Sequence, residues 1–496
     1  MPSVLDSQPR RTHSRERALE RRVRELEREN AQLRAENAEL RAENAALKTK
    51  LSEFEKRFAE LEARLSENST NSHRPPSSDP PWTKRAGRKK PTGRKQGAQP
   101  GHEGATRPLI PVEKVDRVVP HFPEACGRCR LPFGARTASE GREPRRHQVW
   151  EIPPTKPVIV EHQAHCRTCR HCGETTQAEL PPEIAVSSFG PRLQATVALL
   201  TGRFRLSRRE AEEATSVLFG VDMALGSITA MEKATSEALA KPYDEALAKV
   251  RVSDVVNADE TGWRERLGVR AWLWVAVTST LAVFAVDPRR NRDAFKRLLG
   301  AFKGVLVTDR WGAYLDHPTD RHQVCWGHLR RDFEKLVLRG GEAAVLGNAL
   351  LAETATLFET WHALRRGEID RAALRRRIAP VKARFHELLV EGLQNSHPKA
   401  NGLCAKLIPV WPSLWVFVEN EGVEPTNNDA ERALRPAVLW RKGSFGSQSE
   451  SGSTYVARVL TIVASLRKQG RHVLDFLIAA VTAQRMGTRS PTLIPQ

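Results

Sequence analysis

A seven-residue repeat of large apolar side chains dominates the start of this sequence. One set comprises Leu19, Leu26, Leu33, Leu40, Leu47, Phe54 and Leu61. A companion set, four residues later, comprises Val23, Asn30, Asn37, Asn44, Leu51, Phe58 and Leu65. Such heptads predict a coiled coil, although a long solvated helix is the alternative. Asparagine at three successive core positions favours a parallel homodimer, because each buried amide needs a partner amide.

The charge balance of the chain favours a polyanionic partner. The 496 residues include 79 Lys and Arg against 59 Asp and Glu, a formal charge of +20. Nucleic acid is the first partner that such a charge indicates, and an anionic membrane is the second. A chain of this length is also too long for one ordinary core, so we expect several modules joined by linkers.

Neither the N-terminus nor the most apolar stretch of the chain indicates export or a membrane span. The N-terminus lacks the apolar core of a secretory signal, so we expect a cytoplasmic protein. The most apolar stretch, from Trp272 to Val286, is shorter than a membrane span and contains Thr278, Ser279 and Thr280. Two strands joined by a turn fit this stretch better.

A Ser-, Pro-, Gly- and Lys/Arg-rich segment follows the heptads, from Asn68 to about Arg107. Its composition predicts a flexible linker, because it offers little apolar surface to bury. A run of bases without an acid suits a phosphate backbone, although a solubilising role is the alternative. This run contains Lys84, Arg85, Arg88, Lys89 and Lys90, followed by Arg94 and Lys95.

Five of the seven cysteines lie between positions 126 and 172. In a cytosolic protein this clustering indicates metal binding rather than disulfides. Two C-x-x-C knuckles joined by a hairpin predict a tetrahedral zinc site. Cys126 and Cys129 form the first knuckle, while the second is either Cys166 with Cys169 or Cys169 with Cys172. We favour the latter pair, because Gly173 follows it as Gly127 follows Cys126.

Residues from about Gly190 to Leu239 read as three helices. One ends at Gly220, and the next is predicted to start near Ser227, whose side chain can cap it. A helix-turn-helix that binds DNA is one interpretation of this segment, and plain core packing is the other.

Alternating strands begin after Lys249. Three strands, a helix from about Arg292 to Phe302, and a strand ending in Asp309 give the order of a ribonuclease H-like fold. In such a sheet the first and fourth strands are neighbours, so Asp259 and Asp309 lie side by side. Two such carboxylates can hold a pair of divalent cations about 3.5–4 Å apart and so serve phosphodiester chemistry.

A third acid is expected in the segment EPTNNDAERALRP. Asn428 is a fair N-cap for the helix that follows, which carries Asp429 and Glu431 in its first turns. We assign Glu431 to the site, with Asp429 as the substitute. Adjacent residues of a strand face opposite sides, so only one of Asp259 and Glu260 can join the cluster of Asp309.

Four motifs in this order resemble the DDE transposases of the insertion-sequence family numbered sixty-six. They are ADETGW at 258–263, VTDRWGAY at 307–314, CWGHLRR at 325–331, and TNNDAERALRP followed by RKGSFGSQSESG. The resemblance implies an integrase-like domain whose Asp259, Asp309 and Glu431 bind magnesium, or manganese, to cut transposon ends and join them to target DNA. It leaves open whether Cys325 and His328 of a C-x-x-H signature bind metal or DNA ends, or only pack.

We expect a multidomain α/β protein that is associated with the nucleoid and acts on double-stranded DNA as a homodimer. The resemblance also implies accessory transposition proteins. Arg432, Arg435, Arg441 and Lys442 flank the third acid and could grip the end DNA, or could be ordinary solvent-facing bases. The predicted parts are a coiled coil (1–67), a basic linker (68–118), a zinc-finger-like module (119–186), a helical DNA-binding segment (187–248), a catalytic domain (249–445) with a helical insertion (about 332–420), and a C-terminal helical segment (446–496).

Three rival interpretations stay open. A non-catalytic DNA-binding regulator shares the zipper, linker, finger and helices but needs no placed carboxylates. An inactivated transposase is a second rival, although all three acids and the motifs are present. A ribonuclease H-like nuclease without joining activity is the third, and strand-transfer assays separate it from a transposase.

Overall fold

The computed structural model describes residues 9–65, 107–134, 143–185, 187–266 and 268–495. The described residues divide between two compact units. The first takes them from Met1–Lys84, Phe189–Arg205 and Met231–Gln496, and the second from Arg85–Ser188 and Leu206–Ala230. The basic run predicted to bind phosphates, Lys84, Arg85, Arg88, Lys89 and Lys90, lies outside the described residues.

A single helix carries the heptads. Helix α1 spans Pro9–Leu65, and both the leucines of the repeat and Phe54 are exposed along it. Asn37 and Asn44 donate their side-chain amides to the carbonyls of Leu33 and Leu40, one turn earlier in the same helix. The predicted helix is therefore present, and its apolar seam is uncovered in the single chain.

The second unit holds the cysteine segment and the middle part of the helical segment, Leu206–Ala230. Strands β1 (Cys166–Thr168) and β2 (Thr175–Gln177) pair antiparallel, and the short α2 spans Pro182–Ala185. The hairpin was predicted in the Val- and Ile-bearing stretch between the two knuckles, 147–162. That stretch forms no strand, so the prediction is wrong. The three prolines of that stretch restrict its backbone and remove ladder donors. The hairpin that is present, formed by β1 and β2, encloses the second knuckle, Cys169 and Cys172.

The predicted series of helices is present, with one boundary shifted. Helix α3 (Pro191–Ala198) runs into a π-helical turn, Leu199–Arg203, and α4 spans Arg208–Phe219. Ser207 and Glu210 form a capping box at the start of α4, and Gly220 ends it in a left-handed conformation. Helix α5 spans Leu225–Ala238 and so begins before Ser227, which is not its N-cap. Helix α6 spans Ala240–Arg251.

A five-stranded mixed sheet lies at the centre of the first unit. Its elements are β3 (Val255–Glu265), β4 (Val269–Val277), β5 (Ala282–Asp287), α7 (Arg292–Leu299), β6 (Val305–Thr308) and β7 (His322–Val324). The strand order is β5-β4-β3-β6-β7. Strand β3 is antiparallel to β4 and parallel to β6. The first and fourth strands of the series are therefore neighbours, as predicted.

Helices cover both faces of this sheet. The remaining helices are α8 (Trp326–Val337), α9 (Gly341–Arg365), α10 (Arg371–Gly392), α11 (Pro398–Leu407), α12 (Val416–Glu419), α13 (Asn428–Ser444), α14 (Glu450–Lys468) and α15 (Val473–Arg485). Leu273 and Val275 pack with α13 and α14, while Trp274 and Ala276, which alternate with them, pack with α6, α7 and α15.

A separate apolar core joins helices α8 to α12. Trp326, Phe333, Phe385 and Trp415 are buried in it. Among the described residues one segment, Pro398–Glu419, passes a length and composition test for a membrane span, with half of the tested window buried. A 3-10 helix, Ile408–Leu414, interrupts this segment, and its buried side chains belong to the core. No membrane protein is indicated by this single segment.

Candidate functional site

Strand pairing sets the first two acids beside each other. In the parallel ladder between β3 and β6, Val255 pairs with Val305 and Asn257 with Val307. Asp259 follows Asn257 by two residues on β3, and Asp309 directly follows the end of β6 at Thr308. The backbone amide of Glu260 donates to Asp259 Oδ1 at 2.9 Å, and that of Trp311 donates to Asp309 Oδ1 at 2.9 Å.

The third acid reaches the same region from helix α13. Burial raises the pKa of Asp259 well above its usual range, and the charges of Glu260, Asp309 and, more weakly, Glu431 add to the effect. Burial also raises the pKa of Glu431, with Arg331 opposing and Asp309 adding. The three acids from β3, the end of β6 and α13 therefore share one electrostatic environment.

Asp429 has a different environment although it lies on the same turn of α13. It accepts from Arg432 at 2.8 Å and from Lys468 at 2.9 Å. Burial alone would raise the pKa of Asp429, but these two partners lower it overall. The charge of Asp429 is thus balanced by two close partners, whereas Arg331 lies 3.8 Å from Glu431.

Asn427 joins the helix of the third acid to the strand of the first. Helix α13 begins at Asn428, so the predicted N-cap at Asn428 is wrong and Asn427 occupies that position. Its side chain caps no helix amide; it donates to the carbonyl of Ala258 at 2.8 Å and accepts from Asn257 at 3.2 Å. The sequence reasoning missed this residue, and the paired asparagines of TNND were the available signal.

Glu260 makes contacts of its own. Its side chain is 2% exposed and forms an ion pair with Arg290 at 2.7 Å and a short hydrogen bond with the hydroxyl of Tyr314. Burial raises the pKa of Glu260, the Tyr314 hydrogen bond lowers it, and Asp309 raises it. Arg290 also lies over the rings of Trp272 and Trp311. Glu260 thus supports the loop that follows Asp309, and sequence reasoning gave no role to Arg290 or Tyr314.

Cys325 and His328 lie next to the third acid. Cys325 is buried before α8, and the donor atoms of Cys325, His328 and Glu431 all lie within 4.8 Å of one another. In the described parts of the chain this is the only group of three or more potential ligands that meets so closely, so the three acids are not packed to that distance. Burial raises the pKa of Cys325 to about 11, although backbone amides of Asn427, His328 and Gly327 oppose the shift.

The bases that flank Glu431 differ in their contacts. Arg432, Arg435 and Lys442 are exposed, and Arg432 is paired with Asp429. Arg441 is partly buried and donates to the carbonyl of Gly262 and, at 3.3 Å, to the hydroxyl of Thr261. Arg441 therefore holds the end of α13 against strand β3.

The two cysteine knuckles share one backbone pattern. The amide of Arg130 donates to the carbonyl of Cys126 and that of Gly173 to the carbonyl of Cys169, both at 2.9 Å. Arg130 and Gly173 both have positive φ, at 61° and 76°. Arg130, and not Gly127, is therefore the counterpart of Gly173. Cys166 lies in β1, outside this turn.

The same physical causes act on the first sulfur of each knuckle. Backbone and side-chain hydrogen bonds from Cys129 and Arg128 lower the pKa of Cys126. The equivalent bonds from Cys172 and His171 lower the pKa of Cys169. Each knuckle favours a thiolate, but the described residues show no group of three cysteine sulfurs within 4.8 Å.

Comparison with known proteins assigns the family. The profile of the Transposase IS66 family matches residues 186–455, which include every acid discussed above. The chain therefore belongs to the IS66 transposase family. A second profile, of a family of unknown function (DUF6444), matches residues 13–108.

Three curated relatives come from Sinorhizobium fredii (strain NBRC 101917 / NGR234). Uncharacterized protein y4qI is 26% identical over 275 residues, 49% of this chain and 50% of that protein. Uncharacterized protein y4jD is 25% identical over 288 residues, 51% and 55% of the two chains. Uncharacterized protein y4hP is 23% identical over 388 residues, 71% and 69%. The chain spans about half the length of the first two relatives.

Proposed function

We propose that this protein is a DNA transposase that cuts transposon ends and joins them to target DNA, with Asp259, Asp309 and Glu431 as its catalytic acids. One observation carries the proposal: Asp259 lies on β3, which pairs with β6, and Asp309 follows the end of β6. Burial, and then the charges of Glu260, Asp309 and Glu431, raise the pKa of Asp259, which agrees with this placement. Membership of the IS66 transposase family supports the reaction, and the strand order β5-β4-β3-β6-β7 supports a ribonuclease H-like domain.

The three acids fit divalent cations. Carboxylates that share a partly buried site repel one another, and a hard cation with oxygen ligands removes that repulsion. Mg²⁺ or Mn²⁺ bound by Asp259, Asp309 and Glu431 would activate the attacking oxygen and stabilise the leaving oxygen of the phosphodiester. Water attacks first at the transposon end, and the freed 3′ hydroxyl then attacks target DNA.

The contribution of the protein is to hold the acids ready. The amides of Glu260 and Trp311 fix one oxygen each of Asp259 and Asp309. Asn427 fixes the start of the helix that carries Glu431. Groups held in place before reaction need no reorganisation when charge develops, which is the main source of catalysis in sites of this kind.

A basic cleft next to α13 is a DNA-binding surface in this proposal. Its volume is about 280 Å³, and its lining includes Arg203, Arg432, Arg467 and Lys468. Burial lowers the pKa of Arg203, and the like charges of Arg467 and Arg205 lower it further. Asp429, which also lines the cleft, pairs with Arg432 and Lys468, so a phosphate would bind beside Arg203 and Arg467. Arg435 and Lys442, and the linker bases, add to the attraction. Arg441 is assigned the structural role described above.

Other parts of the chain are given supporting roles. The exposed seam of α1 pairs two copies into a coiled coil, so that two transposon ends are held by one dimer. Cys126, Cys129, Cys169 and Cys172 bind one zinc ion in this proposal. The proposal also keeps the domain boundaries predicted from the sequence. In it, the protein works with accessory transposition proteins and associates with the nucleoid.

Glu431→Gln and Asp429→Asn form a matched pair for testing the site. The two acids lie on one turn of α13, but only Glu431 belongs to the proposed cluster. We expect Glu431→Gln to lower magnesium-dependent cleavage of end DNA by at least about 100-fold while end binding persists. Asp429→Asn should cleave at a rate near that of the wild type. Equal losses of cleavage in both variants would show that these two acids support the fold of this turn and would contradict a catalytic role of Glu431 alone.

A further inference from the structure

The group of Cys325, His328 and Glu431 differs in chemistry from the three acids. It offers one sulfur, one imidazole nitrogen and one carboxylate oxygen, all within 4.8 Å. Magnesium takes oxygen ligands and avoids thiolates, whereas zinc takes sulfur, nitrogen and oxygen together. Three protein ligands with a fourth position left for water are typical of zinc sites that exchange a ligand.

The separations come close to those of a bound zinc ion. Tetrahedral zinc with bonds of about 2.0–2.3 Å holds its ligand atoms roughly 3.3–3.6 Å apart. His328 Nδ1 and Glu431 Oε1 are 3.8 Å apart. The side chains of His328 and Glu431 are 17% and 34% exposed, so the carboxylate can rotate toward the sulfur and an ion can enter from its side.

A backbone hydrogen bond holds the sulfur in place. The amide of Asn427 donates to Cys325 Sγ at 3.2 Å. Such outer hydrogen bonds orient metal ligands and spread their charge. This bond also fixes the sulfur between the starts of α8 and α13, the two helices that carry His328 and Glu431.

We propose that Cys325, His328 and Glu431 bind a zinc ion at a site separate from the magnesium cluster, and that this ion withdraws Glu431 from Asp259 and Asp309. The binding itself stands on the geometry of the three side chains. Its inhibitory effect rests on the proposed function, because Glu431 is the ligand that the two sites share. Zinc would thus hold the protein in a form that cannot complete its magnesium site.

Zinc content of the full-length protein tests the binding. Four proteins are compared: the wild type, Cys325→Ser, His328→Gln and Cys404→Ser. Each is saturated with zinc and dialysed to remove the excess, and its zinc content is then measured by elemental analysis. Cys404 is the matched control, because it is another buried cysteine, in the core of α8 to α12. We expect the first two variants to hold about one zinc fewer than the wild type, and Cys404→Ser to hold the same number.

The difference in zinc content between the wild type and each variant is the informative quantity, because the cysteine knuckles are also proposed to bind zinc. Cobalt in place of zinc should show a thiolate charge-transfer band that weakens in both site variants. His328→Gln lies at a partly exposed position and decides the outcome even if Cys325→Ser fails to fold. Unchanged zinc content in His328→Gln overturns the proposal.

Asp309→Asn separates this proposal from the proposed function. That variant should keep the full zinc content and lose DNA cleavage. Full zinc content with normal cleavage contradicts the catalytic role of Asp309 and leaves the zinc site standing. Glu431→Gln should lose both the zinc and the cleavage, and a Glu431→Gln protein that keeps its zinc contradicts the shared ligand.

Discussion

The side-chain amide of Asn427 donates a hydrogen bond of 2.8 Å to the backbone carbonyl of Ala258. Ala258 precedes Asp259 on β3, and the backbone carbonyl of Asn427 accepts the amide of Glu431, at 3.2 Å, on α13. One buried residue therefore sets the distance between the first and third acids. Asn427 touches none of the reacting groups in the proposed mechanism, so its role is to position them.

Replacement of Asn427 by aspartate should remove the donor and place a carboxylate against a carbonyl. We expect Asn427→Asp to lower the cleavage rate at least about 10-fold with end binding unchanged, and to cost about 1–3 kcal/mol of unfolding free energy. Asn420→Asp is the control, because Asn420 donates to Val416 within α12. Cleavage kinetics and denaturant unfolding measure the two effects. A fully active Asn427→Asp protein contradicts the positioning role.

The raised pKa of Asp259 predicts how stability changes with pH. An acid whose folded pKa is raised binds its proton more tightly when folded, so its stabilisation is complete below the unfolded pKa. It is lost as pH rises through the folded pKa. Without divalent ions, the wild type should therefore lose stability relative to Asp259→Asn as pH rises above the ordinary aspartate range. Magnesium should restore part of that stability in the wild type alone.

Asp429→Asn should show the opposite dependence of stability on pH. Melting temperature measured against pH tests both variants. The pKa of Asp429 is lowered by Arg432 and Lys468. Its stabilisation is present above the unfolded pKa and is lost as pH falls through the folded pKa. Melting curves that shift in parallel for both variants would contradict the different environments of the two acids.

The seam of α1 predicts the oligomeric state. We expect the wild type to be a dimer by light scattering, and the double variant Leu33→Asp, Leu40→Asp to be a monomer, because charges at core positions are desolvated on pairing. Ala35→Asp with Ala42→Asp adds the same two charges on the outer face of the same helix and should stay dimeric. Dimers in both double variants would place the association elsewhere.

The shared turn of the knuckles predicts which cysteines bind zinc. Cys169→Ser should lower the zinc content, because Cys169 carries the turn that matches that of Cys126. Cys166→Ser should not, because Cys166 pairs with Gln177 as a strand residue. Zinc content by elemental analysis decides between them. Loss of zinc in Cys166→Ser alone would reverse the assignment.

Sequence patterns predicted the elements whose apolar residues repeat with a period or form a run. The heptads of α1 were found because a coiled-coil seam recurs every seven residues. The runs of β4 and β5 were found because strands that are covered on both faces are almost continuously apolar. The neighbouring positions of β3 and β6 were predicted from the order of the strands along the chain, and the structure confirms them. The catalytic roles of Asp259 and Asp309 stay a prediction.

The contacts that hold the site together were not predictable in this way. Asn427 bonds to residues about 170 positions earlier, and no local pattern marks such a partner. The same holds for Arg290 and Tyr314 at Glu260, and for Cys325 beside Glu431. The first knuckle was misread because Arg130 has a positive φ, which a sequence leads one to expect of glycine.

Cleavage and joining of DNA that carries the element's own ends test the central claim most directly. The wild type is compared with Asp259→Asn and Asp309→Asn in magnesium, with end binding measured in parallel. Asp287→Asn serves as the control, because Asp287 ends β5 and pairs with Arg297 outside the acid cluster. The account predicts that wild type and Asp287→Asn cut and join, while the other two bind the ends and do neither. Cutting and joining by Asp259→Asn or Asp309→Asn would contradict the assigned active site.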